Sequence, residues 1–397
     1  MSTFFSRSEL AVVKAPASLV PKCGECGLYK KCASPKLPVS GKGGKGILVV
    51  GYMPEDDEGG SHFSGESYIL LQAAFRKSGV DIKQDCWLTN ALICHAKDGA
   101  PKNAVDACRP NLIRTVKELQ PTTVILLGQP AVKSLVGWLW KEDVGSLAEW
   151  VGWQIPNQRL NAWLCPAYHP KTLLTLKDAA VHTLLFERHI EQALQFQARP
   201  WGRVPDYRSQ VQCLTDAGEA ARAVREFVAA GRPVAFDYET NMLKPDSRQS
   251  EIVCCAVSDG KRSVAFPWVG AAVPAVRELL FSDVPKYGYN IKFEERWTLA
   301  KLGGPVRNWV HDGMLAAHVL DNRSGITSLK FQAFVRLGVE DYDSHIKPYL
   351  KSKGGGNDKN RIHLVSMQDL LTYCGLDALL EYKVSKLQAG DMTYQED

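Results

Sequence analysis

The chain has 397 residues, more than one hydrophobic core usually serves, so its length predicts two or three domains. No apolar run approaches the roughly 18 residues of a membrane span, and the N-terminal stretch Met1–Arg7 lacks the apolar core of a signal peptide. We therefore expect an intracellular, cytoplasmic protein without membrane contact. The net charge of +5 is modest, so any nucleic-acid surface must come from local clusters of Lys and Arg.

Residues 1–196 alternate short apolar strands with helices. The pattern predicts, in order, strand Ile47–Gly51, helix Tyr68–Ser78, strand Trp87–Leu92, helix Pro110–Leu119, strand Thr123–Leu127, a helix from Pro130, strand Ala162–Pro166 and helix Lys177–Gln195. Such alternation favours a parallel sheet between two helical layers, a three-layer α/β/α domain. Ligands of such sheets bind at the loops after the carboxyl ends of the strands.

Eleven cysteines are many for a reducing compartment, where a cysteine pattern indicates metal or redox chemistry more often than disulfides. Six lie in apolar runs and are predicted to be buried: Cys86, Cys165, Cys213, Cys254, Cys255 and Cys374. The candidate ligands are Cys23, Cys26, Cys94 and Cys108, with Cys32 as a fifth. Cys23 and Cys26 lie in a segment that is too polar to build its own core, and a metal centre would hold this segment in place.

The loops after the predicted strands carry the most informative residues of this half. They include a G-x-x-P loop at Gly51–Pro54, the segment Phe63–Gly65, T-N-x-x-x-C at Thr89–Cys94, and Tyr168-His169-Pro170. With the C-x2-C pair before the first strand, residues from about 23 to 195 resemble the iron–sulfur class of the uracil-DNA glycosylase superfamily, which occurs in bacteria, archaea and many phages.

This resemblance implies a [4Fe–4S] cluster held by Cys23, Cys26, Cys94 and Cys108. Zinc held by the same four thiolates is the alternative, and Cys32 leaves the choice of ligands open.

The resemblance also implies a pocket for a flipped base. Phe63 matches the aromatic platform, and Asn90 matches the amide that reads the pyrimidine edge. His169 matches the residue that donates to the base oxygen as charge builds on the leaving uracil; the alternative is a loop residue that caps a helix.

The first loop departs from this family. Family members read G-E-x-P-G, in which the acid places water or steadies the sugar cation, whereas this chain has Tyr52 in that position and Glu55 in place of the second Gly. Asp56, Asp57 or Glu58 are candidate substitutes. We expect the domain to bind DNA or uracil, with cleavage of the glycosidic bond weak or lost.

Residues 197–210 are predicted to be a linker, because the stretch from Gln197 to Arg208 contains two prolines, a glycine and three arginines. Residues 211–397 then form the second predicted domain. Its first elements are predicted as helix Ala217–Ala230 and strands Val234–Thr240, Ile252–Val257 and Ser263–Pro267, as in a ribonuclease H-like sheet.

Strand Val234–Thr240 carries two carboxylates. Side chains two residues apart in a strand share a face, so Asp237 and Glu239 point together while Phe236 and Tyr238 point the other way. Their repulsion is tolerable if a divalent cation bridges them, and oxygen ligands suit Mg²⁺ or Mn²⁺. The alternative is a strand end whose acids are solvated.

Three later segments favour the metal site. They are Tyr289–Glu294, Trp309–Ala317 and Tyr373–Asp377, the last with Tyr373 and Asp377 one helical turn apart. In this order, residues from about 211 to 386 resemble the DnaQ-like 3′–5′ exonucleases with Tyr in the third motif, and most of all the proofreading domain of family A DNA polymerases.

That resemblance implies that Asp237, Glu239, Glu294 and Asp377 hold two Mg²⁺ or Mn²⁺ ions and that Tyr373 orients the attacking water. The family's second motif usually ends in Asp, so Glu294 is a departure that affects the expected rate. The glycine-rich, basic stretch Lys351–Arg361 is predicted either to be a solvated loop or to close over a single strand.

Together the two resemblances predict a DNA enzyme of phage replication or repair that removes nucleotides from single-stranded 3′ ends. A DNA polymerase is the expected partner. The chain ends twenty residues after Asp377, so we expect a stand-alone exonuclease or a fragment of a longer polymerase. The alternatives are a noncatalytic DNA-binding or scaffolding protein, and an active uracil-DNA glycosylase with exonuclease.

Overall fold

The computed structural model describes residues 20–55, 60–140, 142–176, 179–352, 354 and 356–393. The chain divides into two compact units, the first running to Val204 and the second starting at Pro205, with Gly338–Asp341 grouped with the first. The division falls within the segment 197–210. No helix in the described part of the chain is both long and apolar enough to cross a membrane.

The first unit is built on one sheet. Its strands are β1 (Ile47–Gly51), β2 (Cys86–Asn90), β3 (Thr123–Leu127), β4 (Ile155–Asn157) and β5 (Ala162–Ala167). Among the described residues the strand order is β2-β1-β3-β5-β4, with β4 antiparallel to β5 and the other pairs parallel. Every residue of β1 and β3 is buried, as expected for central strands with helices on both faces.

The helices of this unit cover the sheet and carry part of the cysteine pattern. They are α1 (Cys23–Cys26), α2 (Gly65–Lys77), α3 (Ile82–Asp85), α4 (Ala104–Leu119), α5 (Gln129–Leu139), α6 (Leu147–Trp150), α7 (Pro170–Leu173) and α8 (Ala179–Leu194). The mainly parallel sheet and its helices confirm the predicted α/β class.

Helix α4 differs from its prediction. It begins at Ala104, six residues before the predicted start at Pro110, so the proline lies inside the helix. Proline is most common in the first helical turn, which is why the sequence favoured the later start. The longer helix has a consequence for the metal centre, because Cys108 lies on a helical turn rather than in a loop.

The second unit contains a six-stranded mixed sheet in the described residues. Its strands are β6 (Val211–Cys213), β7 (Val234–Thr240), β8 (Ile252–Ser258), β9 (Ser263–Pro267), β10 (Lys286–Gly288) and β11 (Trp309–Asp312). The order is β11-β10-β7-β8-β9-β6, so β7 lies near the centre. It pairs antiparallel with β8 and parallel with β10.

The helices of the second unit pack on both faces of this sheet. They are α9 (Ala217–Ala230), α10 (Ala272–Leu280), α11 (Lys292–Leu302), α12 (Gly313–Leu320), α13 (Leu329–Leu337), α14 (Lys347–Leu350) and α15 (Met367–Met392). Helix α9 buries an apolar stripe against the face of β7 that presents Phe236 and Tyr238. The long helix α15 packs on the opposite face of β7 and β8.

Candidate functional site

Three carboxylates meet between strand β7 and helix α15. Asp237 and Glu239 project from one face of β7, and Asp377 projects from α15, with one oxygen of each lying within 4.8 Å of the others. We call these three residues the carboxylate cluster. Opposite Asp237 and Glu239 on β8 stand the small residues Ala256 and Cys254, which let α15 approach the strand closely.

The cluster is electrostatically costly without a cation. Burial, together with the neighbouring Asp377, raises the pKa of Asp237 to about 8. Burial and the neighbouring Asp237 raise the pKa of Glu239 well above its usual range. The Oδ2 atom of Asp237 is buried without a hydrogen-bond partner. An orphaned oxygen within a group of hard, mutually repelling ligands fits Mg²⁺ or Mn²⁺.

Two residues outside the sequence motifs contact Asp377. The ammonium of Lys330 forms an ion pair with its Oδ1 atom, and the Tyr342 hydroxyl donates to the same oxygen at 2.5 Å. Lys330 also donates to the Tyr342 hydroxyl at 2.8 Å. Both residues lie far from Asp377 in the chain, so no spacing rule could have found them.

Tyr373 lies one helical turn before Asp377, as the sequence predicts, and is buried. Burial, followed by the charge of Asp377, raises the pKa of its phenol well above 10. The phenol therefore keeps its proton near neutral pH and is able to donate a hydrogen bond. Its ring lies 4.5 Å from the Lys330 ammonium.

Glu294 lies near the cluster but is not one of the three grouped carboxylates. Its Oε2 atom is buried without a partner, and burial, then the charge of Asp237, raises its pKa well above the usual range. Glu381, one turn beyond Asp377 on α15, shares this character: its Oε1 atom is also an orphan, and burial and Glu294 raise its pKa. The sequence motifs do not include Glu381, but its position four residues after Asp377 on one helix could have identified it as a neighbour of the cluster.

Asp312, in the segment that follows the second motif, has a positioning role. Its carboxylate accepts from the backbone N–H groups of Asn290 and Ile291 at 3.0 and 3.2 Å and from those of Met314 and Leu315 at 2.9 and 3.3 Å. It therefore caps α12 and fixes the turn that leads into α11, which carries Glu294.

A cavity of about 360 Å³ opens beside Glu239. Met242, Leu243 and Phe293 give it an apolar wall, and the glycine-rich stretch gives the other wall. The Nδ2 atom of Asn360 donates to the Thr240 carbonyl at 2.8 Å, so the described part of this stretch is tied to the chain that leaves β7.

The four predicted cluster ligands come together in the first unit. Cys23, Cys26, Cys94 and Cys108, the cysteine centre, line one cavity. The Lys36 N–H donates to the Cys94 sulfur at 3.3 Å, and the Asn111 amide donates to the Cys108 sulfur at 3.5 Å. N–H donors of this kind stabilise thiolate ligands, so the donor set fits a [4Fe–4S] cluster.

Cys32 lies beside the cysteine centre. Burial raises the pKa of Cys94 to about 11, and Cys32 adds to this rise as a neighbouring thiol. Cys32 itself is only partly buried and packs with Leu28, Cys94 and the residues around them.

Asn90 is held in one orientation at the end of β2. Its Nδ2 atom lies 2.9 Å from Nδ1 of His62, whose Nε2 atom lies 2.8 Å from the Pro38 carbonyl. Because a carbonyl only accepts, the neutral His62 ring donates through Nε2 and accepts from Asn90 through Nδ1. The Oδ1 atom of Asn90 is then left buried without a partner.

The room in front of this amide depends on Gly51. A Cβ atom at that position would lie 2.4 Å from Oδ1 of Asn90 and 2.8 Å from the Phe63 ring. The Phe63 and His169 rings are stacked with centroids 6.1 Å apart. We call Phe63, Asn90 and His169, the three residues for which the sequence predicts base binding, the base pocket.

His169 makes the helix-capping contact that the sequence predicts as its alternative role. Its Nδ1 atom accepts from the Lys171 N–H at 3.2 Å and so caps α7. Burial lowers its pKa, which keeps the ring neutral. With Nδ1 accepting, the proton of the neutral ring is on Nε2, which is free to donate.

Glu55 takes an unexpected position in this region. Its Oε2 atom accepts from the Ser64 N–H at 2.9 Å and the Ser67 hydroxyl at 2.6 Å, at the start of α2. Its Oε1 atom is buried without a partner. Glu55, Tyr52 and His169 line one cavity of about 460 Å³, and the charge of Glu55 raises the pKa of His169 against the effect of burial. The other candidate acids, Asp56, Asp57 and Glu58, lie outside the described residues.

Each of the two units matches a family of DNA-processing proteins. The chain belongs to the uracil-DNA glycosylase superfamily through residues 38–195, and residues 211–387 match the 3′–5′ exonuclease family. The second match indicates a 3′–5′ exonuclease domain with a ribonuclease H-like fold, and such a domain implies divalent metals and DNA binding.

Two curated relatives match the first unit. The type-4 uracil-DNA glycosylase of Pyrobaculum aerophilum is 31% identical over 166 residues, which cover 39% of this chain and 81% of the relative. The type-4 enzyme of Saccharolobus solfataricus is 25% identical over 165 residues, covering 40% of this chain and 75% of the relative. Among solved structures, Brucella melitensis NrnC superposes with a TM-score of 0.32 and 17% identity, over 40% of this chain and 73% of that one.

Proposed function

We propose that the second domain removes nucleotides from the 3′ ends of single-stranded DNA by two-metal hydrolysis with Mg²⁺ or Mn²⁺. The observation that carries the proposal is the meeting of Asp237, Glu239 and Asp377 within 4.8 Å. When bound, the metals supply an activated water and stabilise charge on the leaving 3′ oxygen.

The residues around the carboxylate cluster have separate tasks in this proposal. Asp237, Glu239 and Asp377 hold the metals, and the neutral Tyr373 phenol orients the attacking water. The apolar wall of Met242, Leu243 and Phe293 stacks against the terminal nucleotide in the cavity beside Glu239.

The test is digestion of end-labelled DNA, with and without uracil, by the purified full chain. We expect shortening from the 3′ end with Mg²⁺ or Mn²⁺ and none with chelator. Single strands should be digested faster than blunt duplexes, since the cavity has to admit an unpaired end. Products that shorten from the 5′ end, or digestion that persists in chelator, would reject the proposal.

Glu294 is proposed to contact the second metal through water, because its carboxylate lies outside the group of three. Glu294→Asp should retain the exonuclease rate or raise it by up to about tenfold, since it restores the family's usual carboxylate. Single-turnover digestion measures the rate, with Glu295→Asp as the control on the same helix. A large loss in Glu294→Asp would show that the longer side chain is needed here.

We propose that the first domain binds DNA and presents the base pocket to an extruded uracil. The supporting observations are the free Oδ1 of Asn90, suited to accept from uracil N3–H, and the Nε2 donor of His169. The oriented amide depends on His62, which the sequence motifs do not include.

The cysteine centre leads to a prediction about the purified protein. Prepared without oxygen, it should be brown and contain about four iron and four sulfide per chain, as in tetranuclear clusters held by four thiolates. Cys108→Ser should lower the iron content, and Cys165→Ser, a buried cysteine in β5, serves as the control. Stoichiometric zinc without visible absorbance would contradict the prediction.

The combination of domains suits phage DNA replication or repair in the host cytoplasm, with a DNA polymerase as the partner served by the exonuclease. A pull-down of the full chain with a family A DNA polymerase would test this setting. Absence of binding at micromolar concentrations would argue for an independent repair enzyme.

A further inference from the structure

Lys330 places a positive charge inside the carboxylate cluster. Its ammonium pairs with Oδ1 of Asp377 and donates to the Tyr342 hydroxyl at 2.8 Å. It also lies 4.2 Å from the centroid of the Tyr342 ring and 4.5 Å from that of Tyr373. The side chain is only 22% exposed, so the ammonium is enclosed by aromatic faces and an acid rather than by water.

The ammonium acts on all three carboxylates. It pairs with Asp377, and ligand oxygens of Asp377, Asp237 and Glu239 lie within 4.8 Å of one another, so the ammonium also attracts the other two carboxylates. It is therefore the counterion that makes the cluster tolerable in a folded chain before a metal arrives.

The same contact opposes metal binding. A divalent cation held by Asp377 would lie close to the ammonium in a poorly screened site, where like charges repel strongly. Lys330 also helps to orient Asp377, which would favour metal binding. That help is the smaller effect, because Tyr342 donates to the same oxygen at 2.5 Å and keeps Asp377 oriented without the lysine.

We propose that Lys330 is a displaceable resident cation of the exonuclease site. It holds Asp377 in the metal-free protein and leaves it when a divalent ion binds, so it sets the metal concentration that the site requires. This inference rests on the proposed metal-dependent function of the same carboxylates.

The experiment measures Mn²⁺ binding to the full chain without substrate, by electron paramagnetic resonance of the free ion. Lys330→Met and Lys330→Gln should bind Mn²⁺ about tenfold more tightly than the unsubstituted chain, because the repelling charge is removed. Lys330→Arg should stay within about threefold, since it keeps the charge. Gln keeps an N–H donor without the charge, so it also separates charge from orientation if the Met variant does not fold.

Lys301→Met is the matched control. Its ammonium donates to the Ser250 carbonyl and hydroxyl, away from the carboxylate cluster, and its loss should leave Mn²⁺ affinity unchanged. Unchanged or weaker Mn²⁺ binding in both neutral Lys330 variants would overturn the inference. If Asp237→Ala binds Mn²⁺ as well as the unsubstituted chain does, the proposed metal site is wrong. This result distinguishes failure of the metal site from failure of the inference about Lys330.

Discussion

Exonuclease activity should fall by about a thousandfold or more when Asp237 is replaced by alanine, because the metals lose a ligand that no neighbour can supply. Asp237 occupies the middle of β7 and contributes the orphaned Oδ2 atom to the cluster. Glu239 lies two residues further along the same face of β7 and therefore does not occupy the position of Asp237. Single-turnover digestion of a labelled 3′ end measures the loss.

The fold should survive this substitution. Burial and Asp377 already make the ionised form of Asp237 unfavourable, so alanine removes a repulsive group and should not lower the thermal midpoint of the metal-free protein. Asp391→Ala is the matched control, since the exposed carboxylate of Asp391 also lies on α15 and pairs with Arg336. An Asp237→Ala variant with unchanged activity would place the active site elsewhere.

The carboxylate cluster shows what the sequence could predict. The two-residue period of a strand put Asp237 and Glu239 on one face, and the four-residue period of a helix put Tyr373 beside Asp377. Both periods relate residues that are close together in the sequence. Lys330 and Tyr342 approach Asp377 through tertiary packing alone, so no local pattern could identify the counterion or the second donor.

Short strands were also missed for a physical reason. Segments β4, β6 and β10 have three residues each, and their pairing partners rather than their composition define them as strands. By contrast, β3 and α9 have the bounds predicted from their apolar patterns, Thr123–Leu127 and Ala217–Ala230. Strong periodicity defines an element locally, whereas these three-residue strands depend on the strands with which they pair.

The base pocket depends both on residues that sequence motifs predict and on a residue that only the tertiary structure reveals. Phe63, Asn90 and His169 follow from motifs, but the partner that orients Asn90 does not. His62 immediately precedes Phe63 and contacts Asn90 only because the loop after β1 folds over the end of β2. In the sequence, Glu55 only departs from a glycine position of the family, and its unpartnered, buried Oε1 atom is evident only from the structure.

Uracil excision by the first domain should be slow, by about a hundredfold or more compared with a variant that carries the family's acid, although uracil-containing DNA is bound. Tyr52 offers no negative charge to steady the oxocarbenium-like sugar or to place water. Formation of abasic sites is measured with the exonuclease silenced by Asp237→Ala. Tyr52→Glu in that background should raise the rate, while DNA affinity should change little.

We expect Glu55 to determine how much excision activity remains. Its Oε1 atom is buried and unpartnered in the cavity that also contains His169, so it is the described carboxylate best placed to substitute for the missing acid. Glu55→Gln keeps an acceptor oxygen for the Ser64 N–H and Ser67 hydroxyl while removing the charge, and it should abolish the residual excision without unfolding α2. Rapid multiple turnover in the protein with Tyr52 would refute the view that the domain is impaired, and its persistence in Glu55→Gln would assign the acid to Asp56, Asp57 or Glu58.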